Sequence, residues 1–87
     1  MKTNLVDLLV FPTSMTYKVI GTPHINLVNQ VIEVVQSYVP GDYIPRVIYS
    51  YRRSYCSISI TIVVTNIQQV EHLYTDLSKI QNVRMVF

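Results

Sequence analysis

The stretch Tyr55–Thr65, YCSISITIVVT, alternates for eleven residues. Cys56, Ile58, Ile60, Ile62 and Val64 fall on one side, and Ser57, Ser59, Thr61 and Val63 on the other. A period of two built from β-branched residues suits a strand buried on one face and little else. The chain is therefore expected to organise a sheet around this strand. The even-numbered face should meet helices, and the Ser57/Ser59/Thr61 face should be open or shared.

The flanking segments supply the other elements. Thr16–Gly21 reads as a first strand, with Tyr17 and Val19 opposite Lys18 and Ile20. Thr22-Pro23 offers a capping hydroxyl and a proline at the first helical position, with Asn26 as a rival cap. The helix after it is expected to run to about Tyr38, with Val28, Val31, Ile32, Val35 and Val39 forming its apolar stripe. Pro40-Gly41-Asp42 stops that helix and reverses the chain. Tyr43–Tyr51 reads as a second strand, placed at a sheet edge because Pro45 has no N–H to donate. Arg52-Arg53-Ser54 then forms a short hairpin connection into the central strand.

Asn66 followed by Gln69 has the form of a capping box. It opens a second helix carrying Ile67, Val70, Leu73, Tyr74 and Leu77 and ending near Ser78–Lys79. Val83–Phe87 alternates as a last strand. The order β-α-β-β-α-β predicts an α+β fold, the ferredoxin-like split βαβ arrangement. It has a four-stranded antiparallel sheet with two helices on one face. Residues 1–87 are read as a single domain, with 1–12 as an N-terminal edge segment. Within that segment Asn4–Val10 is expected to form a helical turn anchored by Leu5, Leu8 and Leu9.

Apolar residues make up 49% and charged residues 14% of the chain, against roughly 25% charged in an average domain, which excludes disorder. The net charge of +2 is too small and too dispersed for a nucleic-acid footprint. RNA-binding members of this fold also need rings on the open face of the third strand, where Tyr55 could supply one but Ser57 and Ser59 fill the other positions. The N-terminus lacks the long apolar core of a signal peptide. No unbroken apolar run comes near the ~20 residues that span a bilayer. A single cysteine fits a reducing compartment. A cytoplasmic protein with no membrane and no nucleic-acid partner is expected.

Catalytic and metal motifs are missing. The loop after the first strand, Gly21-Thr22-Pro23-His24, has neither the arginine cradle of acylphosphatases nor a Cys-x-x-Cys metal pair. Cys56 reads as a small buried hydrophobe. His24 and His72 lack a third ligand, and no nucleophile–base pair can be assembled. No enzyme activity, cofactor or metal is expected. Two places could carry function. The loop Gly21, Thr22 and His24 is a candidate ligand site. The hairpin residues Tyr49, Tyr51, Arg52, Arg53 and Tyr55 form a candidate partner surface, since Tyr and Arg are enriched at binding hot spots. Tyr43 belongs to the same tyrosine-rich region, and a plainer role for these rings is to cover the rim of the core.

Several segments together resemble the YbeD family of small bacterial proteins. They are Phe11-Pro12-Thr13, Thr16–Gly21, Val31–Gln36, Pro40-Gly41-Asp42-Tyr43, Ser57–Ile62 and Val83–Val86. The resemblance implies a ferredoxin-like fold similar to the ACT regulatory domains, and a link to lipoate metabolism. Two functions are expected from residues and resemblance together. One is a non-enzymatic regulatory or adaptor domain that contacts a protein partner or its own copy. The alternative is an ACT-like sensor for an amino acid or acyl metabolite, with the effector near Gly21–His24.

Overall fold

A computed structural model describes residues 10–87. The turn expected over 4–10, with its leucine anchors, lies almost wholly outside the described residues. The elements run β1 (Thr13–Gly21), α1 (Leu27–Tyr38), β2 (Arg46–Tyr49), β3 (Cys56–Val64), α2 (Ile67–Ser78) and β4 (Val83–Val86). The four strands form one antiparallel sheet in the order β2-β3-β1-β4. β3 is thus interior, and β2, which starts directly after Pro45, is an edge. Both features follow from the residues that suggested them.

The register decides which residues share a face. Cys56, Ile58, Ile60, Ile62 and Val64 stand opposite Gly21, Val19, Tyr17, Met15 and Thr13 of β1. The β3 members of that set are all buried, whereas Thr61 and Val63 on the other side are exposed. One row, Val47–Ile58–Val19–Val86, crosses all four strands on the core face. Tyr17 is also buried there, and its hydroxyl donates to the Val70 carbonyl of α2 at 3.0 Å. This meets the demand of a polar tip inside a core.

α1 begins later than Thr22-Pro23 suggests. The rival cap, Asn26, holds the capping position, and Leu27 opens the helix with its N–H bonded to the His24 carbonyl at 3.0 Å. The buried row is accordingly Leu27–Val31–Val35, with Val28, Val34, Tyr38 and Val39 only partly buried. Ile32 lies outside that cluster. Its five Val and Ile residues cost at most about 0.7 kcal/mol each against better helix formers. Burying Leu27, Val31 and Val35 returns roughly 1.5–3 kcal/mol apiece, so packing holds this helix.

α2 is capped as its sequence requires: the Asn66 side chain accepts from the Gln69 N–H at 2.8 Å. The Gln69 side chain reaches back one residue further than a standard box, accepting from the Thr65 N–H at 2.8 Å. Val70, Leu73 and Leu77 are buried, while Tyr74 is half-exposed. β2 is shorter than the expected Tyr43–Tyr51. Its N-terminal end is drawn off into the α1–β2 loop, where the Tyr43 hydroxyl donates to the Val39 carbonyl at 2.8 Å. Its C-terminal end gives way to a tight turn at Tyr51–Arg53. Tyr49 and Tyr51 therefore do not lie on one strand face.

Candidate functional site

The β2–β3 turn has an unusual backbone. Arg52 and Arg53 are both in the left-handed region, at φ 63° and 54°. That conformation costs a non-glycine residue roughly 1–2 kcal/mol, and such outliers gather at functional sites. The turn is held by the Arg53 N–H on the Ser50 carbonyl at 2.8 Å and the Ser50 N–H on the Tyr55 carbonyl at 2.8 Å. The Ser50 hydroxyl accepts from the Tyr55 N–H at 2.9 Å.

The two arginines are turned onto neighbouring rings. The Arg53 guanidinium carbon lies 4.6 Å from the centre of the Tyr49 ring, and that of Arg52 lies 5.3 Å from Tyr51. Both distances are within cation–π range. Tyr49, Tyr51 and Tyr55 are exposed, so the turn presents a polar-aromatic surface. Tyr43, by contrast, spends its hydroxyl on the end of α1, and burial raises its pKa.

Beside the turn lies an apolar slot of about 260 Å³ lined by Ile20, Ile48, Tyr49, Tyr55, Cys56 and Ser57. Ile20 and Ile48 both pair with Ser57 and so share the open face. Sequence reasoning did not single them out as site residues, although strand alternation already places Ile20 opposite Tyr17 and Val19.

The loop Gly21, Thr22 and His24 is tied into the fold. The Thr22 N–H bonds the Asn82 carbonyl at 2.9 Å. The His24 Nδ1 accepts from the Asn26 N–H at 3.1 Å. His72 is exposed on α2, its ring 5.9 Å from that of Tyr38. Among the described residues no three His, Cys, Asp or Glu side chains are grouped to hold a metal ion. No helix of the described chain is long and apolar enough to cross a membrane.

Cys56 borders the slot, but burial raises its thiol pKa. Burial also raises that of Tyr17. A group with a raised folded pKa stabilises fully below its unfolded value, and this is lost as pH rises through the folded value. The melting temperature should therefore hold near neutral pH and fall above about pH 8.5, where unfolded thiols ionise. Replacing Cys56 by Ala should move the onset up towards the tyrosine range, about pH 10. A shared onset in melting curves of the two proteins would remove Cys56 from this account.

The family model described as "Protein of unknown function (DUF493)" matches residues 7–87. A UPF0250 protein of Erwinia tasmaniensis is 58% identical over 86 residues, covering 99% of each chain. The chain belongs to the UPF0250 (DUF493) family. The UPF0250 protein YbeD of Escherichia coli O1:K1 is 57% identical over 86 residues, again covering 99% of each chain.

Solved structures at low identity share the fold of this UPF0250 chain. Protein HP0495 from H. pylori superposes with a TM-score of 0.78 at 16% identity, over 91% of this chain and 85% of that one. The ACT domain from GTP pyrophosphokinase of Chlorobium tepidum gives 0.63 at 20% identity, over 85% and 94%. The ferredoxin-like, ACT-like architecture is thus common to all three.

Proposed function

We propose that this UPF0250 protein is a non-enzymatic regulatory or adaptor domain of the cytoplasm. It works by gripping another protein through Tyr49, Tyr51, Arg52, Arg53 and Tyr55. The observation that carries this reading is the left-handed arginine pair stacked on exposed tyrosines. A fold gains nothing in stability from two arginines held in a conformation that glycine adopts freely, whereas a binding surface gains pre-oriented side chains. The likeness to a domain of a larger enzyme, the ACT domain of GTP pyrophosphokinase, supports a regulatory role. The resemblance to YbeD makes enzymes of lipoate metabolism the first partners to try.

The test is capture of a partner by the tagged protein. Tyr49→Ala and Arg53→Ala should each abolish capture, with the melting temperature unchanged within about 4 °C, because both side chains are solvent-facing. Capture that survives both substitutions would overturn the proposal. A second reading, an ACT-like sensor, keeps Gly21, Thr22 and His24 as the ligand loop. It is favoured by Ile25, which stands 90% exposed beside that loop. A melting point raised by an amino acid or octanoate would shift the weight to it.

A further inference from the structure

Among the described residues no acidic side chain stands on a strand of the sheet. Among the described residues the side-chain carboxylates are Glu33 on α1, Asp42 in the following loop, and Glu71 and Asp76 on α2. Of the described cations, Lys79 follows α2 and Arg84 lies on β4, and the other four belong to the open sheet face and its hairpin. Lys18 and Arg46 both pair with Ser59 and so share one row across β1–β3–β2. Arg52 and Arg53 close the hairpin at the end of the same sheet. The adjoining row is apolar except at Ser57: Ile48, Ser57, Ile20 and Met85 cross all four strands, with Ile48 and Met85 about half exposed. The slot opens in this row, between Ile20 and Ile48.

Resting on the reading that the hairpin surface contacts a protein, we infer that the partner offers an extended acidic segment carrying one branched aliphatic side chain. That side chain fills the slot. Carboxylates on either side of it meet Arg53 at the hairpin end and the Arg46–Lys18 row beyond. Neighbouring rows are two residues apart along a strand, about 6.6 Å. Alternate residues of an extended segment have the same spacing, so flanking acids fall on the cations. A second copy docking face to face would set like charges opposite each other, which opposes self-association here. A nucleic acid would match the charge and find rings at the hairpin, but would leave the apolar slot unfilled and meet Ser57 and Ser59 along the strand.

The experiment is an amide-shift titration of the ¹⁵N-labelled protein with a capped peptide, EEELEEE. Shifts should cluster at Ile20, Ile48, Arg53 and Ser57–Ser59. Replacing the central Leu by Ser should weaken binding at least about tenfold, and so should Arg46→Glu or Arg53→Glu in a protein whose spectrum stays dispersed. Raising salt from about 50 to about 500 mM should weaken it further. Shifts on the helices, equal binding of the Leu and Ser peptides, or stronger perturbation by oligouridylate would overturn the inference. Loss of capture in Tyr49→Ala together with no peptide binding would leave the hairpin reading standing and sink only the partner chemistry. Capture unaffected by Tyr49→Ala and Arg53→Ala would sink the reading itself.

Discussion

Gly21→Ala is expected to destabilise the domain by about 3 kcal/mol, the upper part of the range for overpacking a close contact. Gly21 is buried at the point where the β1–β4 register shifts. A methyl group there would press into the Asn82 carbonyl oxygen and come within 3.2 Å of the Val83 Cα. Both obstacles are backbone, so no side chain can swing aside. The same carbonyl accepts the Thr22 N–H, and moving it breaks that bond as well. In a domain of this size each kcal/mol lowers the melting temperature by about 4–8 °C, giving a drop of roughly 12–24 °C. Hydrogen exchange should locate the damage: the Lys18 and Phe87 amides, bonded reciprocally at 3.2 and 2.9 Å, should lose protection first. A melting point within about 4 °C of the parent would show that the α2–β4 turn can yield.

The second large effect separates the two faces of the sheet with one residue type. Ile58 is fully buried in the row that crosses all four strands, whereas Ile48 is 53% exposed on the open face. Ile58→Ala should cost about 2–5 kcal/mol, from lost transfer energy and the cavity left behind. Ile48→Ala should cost about 0.5 kcal/mol or less, as at other surface positions. A domain of this length holds only about 4–13 kcal/mol in total, so Ile58→Ala is read best at low urea. Ile58→Val, costing about 0.5–1.5 kcal/mol, serves if the alanine variant does not fold. Equal urea midpoints for the Ile58 and Ile48 alanine variants would contradict the assigned faces.

The sequence made the architecture readable where one residue property admits one placement. Alternation in Cys56–Val64 allows a single buried face. The missing N–H of Pro45 allows only an edge, and Asn66 with Gln69 marks a helix start. Legibility failed where several placements were equally cheap. α1 has Val or Ile on too many sides for periodicity to choose between the Val28–Ile32 and Leu27–Val31 rows, and packing against the sheet chose the second. Thr22-Pro23 satisfies the rules for a helix start, yet the chain spends those residues in a loop bonded to Asn82. The hairpin held the least readable feature. Arg52-Arg53 contains no glycine or asparagine to announce left-handed backbone, so the pairing of guanidinium with ring was invisible. Ile20 and Ile48 were hidden for another reason. They become neighbours only through Ser57, on a strand distant in sequence from Ile20.

The shortness of β2 has a consequence for how such a chain survives in a crowded cell. A polypeptide this rich in Val and Ile, with a long bare strand at its border, would invite another chain to zip onto it and grow into fibres. Here the border offers only Arg46–Tyr49. It begins after a proline, carries a charge at its first position and bends away at a left-handed turn. Backbone templating is refused on that side, so recognition is left to side chains, which can discriminate between visitors.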